Sequence, residues 1–162
     1  MAFDAFIKID GIPGESLDDK HKDWIEITDY NFGVHQSTSA TASSSGGASS
    51  GRATLADFSF TKLLDNASSK LFEASCAGKH ISKLTLSLNR AGGDKLKYFE
   101  IELEEVIISD FAHGGGSGEP VEYVQINYGR IKTTYTQQKR SNGGAGGNIS
   151  GGWDRISNKI HG

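Results

Sequence analysis

The sequence of 162 residues contains one cysteine, two prolines and no long apolar run. The lone Cys76 excludes a disulfide within the chain and is typical of proteins made in a reducing compartment. No apolar segment approaches the roughly 20 residues that span a bilayer, so we expect no membrane insertion. The first ten residues include Asp4 and lack the apolar stretch of a signal peptide. We therefore expect cytoplasmic synthesis and, if the protein leaves the cell, secretion without a cleaved signal peptide.

The sequence also lacks an excess of either charge. Its formal net charge is −3, from 17 basic and 20 acidic side chains, which argues against nucleic acid as a partner. A hydrophobic content of 36% and a charged content of 23% are those of a globular domain. Because a chain of this length buries a core without disulfides or metal, we expect one domain over residues 1–162.

Three segments alternate apolar and polar residues with a period of two, which is typical of strands with one buried face. These segments are residues 3–9, 84–90 and 98–108. The sequence RAGGDK at 90–95 separates the last two and suits a tight hairpin turn. Gly residues, 21 in all, cluster between such segments rather than within them, so we expect an antiparallel arrangement joined by turns.

Two further segments, 24–34 and 121–135, change their apolar phase midway. One-residue bulges near Thr28–Asp29 and at Gly129 would keep both apolar sets on the core side and bend the strands. One stretch, 65–80, has helical spacing. The predicted fold class is mainly β, an antiparallel β-barrel or two curved sheets with one short flanking α-helix.

The predicted helix has recognisable ends and a predicted buried face. Asn66 or Ser68 is the candidate N-cap, and Gly78 is the residue expected to stop the helix. Leu71, Phe72 and Cys76 fall near one face, so we expect Cys76 to be packed rather than reactive.

The run STSATASSSGGASSGRAT at 37–54 contains only Ser, Thr, Ala and Gly apart from Arg52. It could be a linker, a disordered loop or an arm that orders against another chain. Only 36 residues precede it, too few for an independent domain, so a linker is disfavoured. Long excursions inside a compact domain are uncommon and are usually functional or disordered.

Residues with catalytic or ligand-binding potential are scattered. Acidic residues follow one another along a single predicted strand, and a solvated strand face explains them better than a pair of catalytic carboxylates. They are Glu100, Glu102, Glu104 and Glu105. The five histidines show no ligand spacing, and the Gly-rich segments lack the Lys-Ser/Thr of a phosphate-binding loop. We therefore predict no enzyme activity, no metal and no cofactor.

Several motifs, in order along nearly the whole chain, resemble the Hcp family, the tube proteins of bacterial type VI secretion systems. They are FIKIDGIPGES, YNFGVHQS, FSFTKLLDNASSKLFEASCAGKHI, LNRAGG, FEIELEEVIIS, GGGSGEPVEYVQINYGRI and GGWD. The resemblance implies a β-barrel similar to phage tail tube proteins, hexameric rings that stack into a tube, and export driven by a contracting sheath. It also implies the sheath and spike proteins as partners and small effectors carried in the ring lumen.

The resemblance, combined with strand alternation, yields three groups of candidate assembly residues. The candidates facing the lumen and cargo are Glu26, Thr28, Asn31 and Gly33. The candidates for an arm between subunits or rings are Ser37, Ser45, Gly46, Gly47, Ser50 and Arg52. The candidates in a ring-stacking loop are His113, Gly115, Ser117 and Glu119, for which a plain hairpin connection is an equal alternative.

Two other functions compete with a tube subunit. The chain could be a monomeric β-barrel that binds a ligand or peptide, which predicts a monomer with a closed pocket. A hydrolase using the Glu-rich strand is the third hypothesis, and it predicts turnover that Glu→Gln changes abolish. Trp153, near the end of the chain, is expected to pack against the core in each case.

Overall fold

The computed structural model describes residues 3–38, 50–91, 95–139 and 145–162. Over these residues the chain forms twelve strands and one helix. Their bounds are β1 Phe3–Ile9, β2 Ile25–Glu26, β3 Asp29–Asn31, β4 Val34–Thr38, β5 Ser50–Leu55, β6 Phe58–Leu63, α1 Ser68–Ala77, β7 Ile81–Arg90, β8 Lys97–Gly114, β9 Val121–Asn127, β10 Arg130–Gln138, β11 Ala145–Asp154 and β12 Lys159–Ile160. The prediction of a mainly β fold with one short helix is confirmed.

The long strand β8 belongs to two sheets. Its first part pairs with β7 and β10, and its second part pairs with β9. The first sheet has the strand order β12-β11-β10-β8-β7-β1-β2, and the second has the order β3-β6-β9-β8. All of the described ladders are antiparallel, as expected. The predicted closure of the two sheets into a complete barrel stays a prediction.

The two phase changes in the sequence mark places where the chain passes from one sheet to the other. The Ile27 amide donates to the Ala5 carbonyl in the first sheet, and the next amide, of Thr28, donates to the Thr61 carbonyl in the second. Likewise β9 ends in the second sheet at Asn127, and β10 begins in the first at Arg130. The positions were predicted correctly, but each predicted bulge is instead a break between two strands.

One core lies between the two sheets. The inward residues are spaced by two along β1, β6, β7, β8 and β9, which is why alternation found most of these strands. Fully buried members are Ile7, Ile25, Phe58, Leu71, Leu84, Leu86, Ile101, Leu103, Val106, Val124 and Ile126. Trp153 is partly buried and packs against this core, as predicted.

The helix α1 covers one end of the core, but two predictions about it are wrong. Its N-cap is Ala67 without a side-chain cap, and the carboxylate of Asp65 accepts the Ala67 amide at 2.9 Å. Cys76 is exposed, and Phe72 is 58% exposed, because the buried face runs through Ser68, Leu71 and Ala74. Gly78 ends the helix with φ of 59°, as predicted.

A buried ionic cluster lies under the start of α1. Lys62 of β6 is fully buried, and its Nζ donates to Glu122 Oε1 of β9 at 2.6 Å and to Ser68 Oγ of α1 at 3.0 Å. Asp65 Oδ1 lies 2.8 Å from the same Nζ, and His113 Nδ1 lies 2.8 Å from Glu122 Oε2. Burial disfavours the Glu122 carboxylate, but hydrogen bonds from Lys62, Ser68 and His113 outweigh that effect and lower the pKa of Glu122. This cluster fastens α1 to the second sheet.

We predict that Lys62→Met lowers the free energy of unfolding by about 3–5 kcal/mol, because it leaves the buried Glu122 carboxylate and the partly buried Asp65 carboxylate without their cation. Denaturant titration at neutral pH measures the change. Lys70→Met is the matched control, since the Lys70 side chain is 64% exposed and lies 3.8 Å from Glu73. The control should change stability by less than about 0.5 kcal/mol. Equal losses for the two variants would contradict a structural role for the cluster.

Candidate assembly surfaces

The outer face of the second sheet is mostly polar. Opposite the buried Phe58, Phe60, Val124 and Ile126, alternate residues of β3, β6, β9 and β8 point away from the core. Two cross-strand rows result from the register, and together they define the polar face. One row is Asn31, Ser59, Gln125 and Asp110, and the other is Asp29, Thr61, Tyr123 and Ala112.

Hydrogen bonds order this polar face. The Gln125 amide donates to the Tyr123 hydroxyl at 3.3 Å, and hydrogen bonds from Ser59 and then Gln125 lower the pKa of Tyr123. Among the residues of the two rows that the structure describes, there is no Lys or Arg. The face is thus polar and slightly acidic.

The four predicted lumen residues do not lie together on this face. Only Asn31 lies in its rows, exposed beside Ser59. Glu26 is exposed on β2 in the first sheet, and Thr28 lies at the crossing, where its hydroxyl donates to the Thr61 carbonyl at 3.2 Å. Gly33 follows β3 and lines a separate cleft. Alternation within 58–63 and 121–127 would have identified the missing members of the face.

The two ends of the Ser/Gly run, where the structure describes it, form strands. β4 and β5 pair with Val34 opposite Leu55 and Thr38 opposite Ser50. This two-stranded ladder, which we call the arm, extends from the ends of β3 and β6. Ser37 and Arg52 lie exposed on it. The predicted residues Ser45, Gly46 and Gly47 lie outside the described residues.

A cleft of about 520 Å³ separates the base of the arm from β10 and β11. Its walls are mostly apolar, and Arg52 lies at its margin. The apolar walls are Phe32, Val34, Leu55, Tyr128, Ile131 and Trp153. The apolar surface continues along the same face of β10 and β11, where Tyr135 pairs with Ile149 and the two are 42% and 72% exposed.

The predicted stacking loop divides into two environments. His113 belongs to β8, and its ring is held by Glu122 of the buried cluster. Gly115, Ser117 and Glu119 are exposed in the connection from β8 to β9. The segment is therefore a hairpin connection, one of the two alternatives, and its role in stacking stays a prediction.

A hydrogen-bonded chain joins the loop 10–24 to the outer face of the first sheet. Asp18 Oδ2 lies 2.8 Å from His21 Nδ1, and His21 Nε2 lies 3.1 Å from Ser87 Oγ. This order of groups is that of a nucleophilic triad, but Ser87 is 1% exposed and cannot reach a substrate. The ring of His21 also stacks on Phe6 at 4.5 Å. The hydrogen bonds among Asp18, His21 and Ser87 therefore anchor the loop 10–24 to the first sheet.

The acidic residues of β8 are paired with cations. Lys97 Nζ lies 2.6 Å from Glu100, and Lys83 Nζ lies 3.5 Å from Glu102. Arg130 lies within 4 Å of Glu104 and Glu105, at 3.5 and 3.8 Å. Among the described residues, no group of three or more His, Cys, Asp or Glu side chains could hold a metal ion. The strand face is an ion-paired surface.

None of the helices in the described ranges is both long and apolar enough to cross a membrane.

Comparisons with known proteins identify the family of this chain. Residues 6–135 match a family model described as a type VI secretion system effector, Hcp. Protein hcp1 of Pseudomonas aeruginosa is 36% identical over 157 residues, which cover 95% of this chain and 96% of that protein. A solved structure of a type six secretion system protein has a TM-score of 0.91 and 34% identity, and the match covers 99% of this chain and 100% of that one.

A second solved structure, Hcp1 from Salmonella typhimurium, has a TM-score of 0.80 and 30% identity, with 99% of this chain and 100% of that chain covered. The chain therefore belongs to the Hcp family, the tube proteins of type VI secretion systems. Hcp proteins are secreted structural proteins and not enzymes, so the hydrolase hypothesis is set aside.

The loop 10–24 supplies a pH-dependent prediction. Hydrogen bonds from Lys95 and His21 lower the pKa of Asp18 to about 2, whereas an unfolded aspartate has a pKa of about 3.9. Because the folded pKa is depressed, the stabilisation is complete above about pH 4 and is lost as the pH falls towards about 2.

We therefore expect Asp18→Asn to be less stable than the wild type at pH 7, and the difference should shrink between about pH 4 and pH 2. Urea unfolding across this range measures it. Asp19→Asn, which removes an exposed carboxylate next to Asp18, is the matched control and should differ little from the wild type. A difference for Asp18→Asn that stays constant with pH would refute the assignment.

Proposed function

We propose that the chain is a subunit of hexameric rings that stack into the type VI inner tube and carry small effectors in their lumen. The observation that carries this proposal is the polar face of the second sheet in a chain of the tube-forming family. Six copies arranged around an axis would join their polar faces into one hydrophilic wall. Small side chains such as Ser59, Thr61 and Ala112 would leave the space inside that wall open.

We assign the lumen wall to the second sheet, and not to the first, because of what covers the outer face of each sheet. The first sheet has the loop 10–24 anchored on its outer face through Ser87 and Phe6. The polar face of the second sheet includes Asn31 and Tyr123, both of them exposed. A face that must pass or hold cargo has to be open and wettable, and the second sheet meets both conditions. Asn31 is the predicted lumen residue that this assignment retains.

The proposed partners follow from the position of the rings in the secretion system. The rings would contact one another, the sheath around the tube and the spike at its tip, and effectors would occupy the lumen. The protein would be made in the cytoplasm and exported with the tube, without a cleaved signal peptide. Neither nucleic acid nor the membrane interior has a part in this scheme.

The alternative is a monomer that binds a small ligand or peptide in the cleft beside the arm. The apolar walls of the cleft favour it. Light scattering and negative-stain imaging distinguish the two functions, since the first gives annular particles and the second a lone subunit at every concentration.

We predict that Asn31 faces the lumen and Lys8, exposed on β1, faces the outside of the ring. Spin labels at Asn31→Cys and at Lys8→Cys, each in a Cys76→Ser background, should give different distances by pulsed dipolar spectroscopy. The labels at position 31 should lie closer to one another, because the lumen wall has the smaller radius. Dilution with unlabelled protein identifies the distances between subunits. Longer distances at position 31 than at position 8 would refute this orientation.

We propose that the run 37–54 acts through assembly and not through folding. Replacing residues 39–49 by Asn-Gly would close the arm with a two-residue hairpin, because Thr38 and Ser50 face each other. The melting temperature should change by less than roughly 2 °C, whereas ring association or stacking should fall. Scrambling residues 39–49 at constant length is the control for loop length. Rings and stacks that match the wild type would rule out the arm proposal.

A further inference from the structure

A second apolar surface lies apart from the cleft. Three leucines are exposed around a depression of about 660 Å³, where Leu17, Leu63 and Leu64 are 90%, 41% and 53% exposed. Acidic residues surround them, and none of the residues that the structure places along the depression is Lys or Arg. We call this surface the acidic leucine patch; its acidic members are Glu15, Glu26 and Glu119, and Asp65, whose charge is paired with Lys62, also lines it.

The cleft beside the arm has the opposite charge. Arg52 is exposed at its margin, and an adjoining hollow is lined by Arg52, Arg155, Leu55 and Trp153. The Arg155 guanidinium lies over the Tyr128 ring, with its central carbon 5.4 Å from the ring centroid, and donates to the Tyr128 carbonyl at 2.9 Å. This arginine is therefore fixed in place, whereas Arg52 extends from the arm.

The two surfaces lie towards opposite edges of the first sheet. The acidic leucine patch includes Glu26 of the edge strand β2, and the cleft includes Trp153 of β11 at the other end of the strand order. Complementary surfaces at two different places on one chain make a heterologous contact, which forms a ring when its rotation closes. Exposed leucines rimmed by charges mark a protein interface.

We propose that the cleft beside the arm receives the acidic leucine patch of a second copy of this chain. Leu64 and its neighbours would enter against Val34 and Trp153, and Arg52 would face Glu26 of that copy. The inference rests on the proposed ring and names the two surfaces that meet in it. Opposite charges at the margin would orient the encounter, and the apolar centre would exclude water.

Charge reversal tests this contact. Arg52→Glu and Glu26→Lys should each raise the protein concentration needed for ring formation by about tenfold or more, because like charges then meet. Combining the two reversals should restore much of the assembly. Lys70→Glu, which reverses an exposed charge on α1, is the matched control and should assemble as the wild type does. Sedimentation velocity over a concentration series measures all four proteins beside the wild type.

Crosslinking supplies an independent test. Val34→Cys together with Leu64→Cys, in a Cys76→Ser background, should give a ladder ending at the hexamer with a short bismaleimide. Val34→Cys together with Lys8→Cys should give no ladder, since Lys8 lies on neither surface. Each double variant is checked first for wild-type folding by circular dichroism.

The outcomes separate this inference from the proposed function. Wild-type rings that form while the reversals have no effect and the ladder is absent would overturn the contact and leave the ring intact. A wild type that stays monomeric, with or without a small molecule in the cleft, would overturn both. Impaired single reversals with a restored double variant would support the contact.

Discussion

The architecture depends on one long strand that serves two sheets. β8 has 18 residues, and it changes partners from β7 and β10 to β9 near Glu105, whose φ is 55°. At the same level the Gly129 amide donates to the carbonyls of Glu104 and Glu105, so the passage from β9 to β10 is fixed to the bend in β8. A Cβ at Gly129 would lie 2.9 Å from Ile156 Cδ1 and 3.0 Å from Glu105 Cβ, so glycine gives the two strands room to approach closely at this corner. Because the bend of β8 and the β9–β10 connection are fixed to each other, a single core fits between the two sheets. The outer face of the first sheet is covered by the loop 10–24, and that of the second sheet is polar.

The sequence predicts those parts of this arrangement that follow from local periodicity. β1 was predicted to the residue, and both phase changes were placed correctly, because alternation reports which side of a strand is buried. Whether a phase change is a bulge or a passage between sheets depends on long-range pairing, which periodicity does not contain. The prediction that Cys76 is packed was wrong for a related reason. A helix of ten residues has more than one apolar stripe, and the contact with the core decides which stripe is buried.

The alternation of residues along β6 and β9 could have indicated the buried ionic cluster. Lys62 occupies the inward phase of Phe58 and Phe60, and Glu122 occupies the inward phase of Val124. Opposite charges in the core phase of two strands indicate a buried pair when those strands are neighbours, and only the topology shows that β6 pairs with β9. The same register assembles the polar face, so the polar face and the cluster are the two sides of one ladder. A change in that ladder would therefore affect helix attachment and the proposed lumen together.

The edges of the sheets determine what kind of assembly the chain can form. Three edge strands are short, since β2 and β12 have two residues each and β3 has three. These edges offer few free backbone groups, which limits uncontrolled strand pairing between copies there. The other edge of the second sheet is longer, because residues 107–114 of β8 pair with β9 on one side. At the short edges, recognition between copies would come from side chains, and the β4–β5 ladder of the arm and the edge of β8 are the longer elements available to a neighbouring copy. Side-chain recognition fixes one orientation where backbone pairing would tolerate several registers, and a closed ring requires that single orientation at every contact.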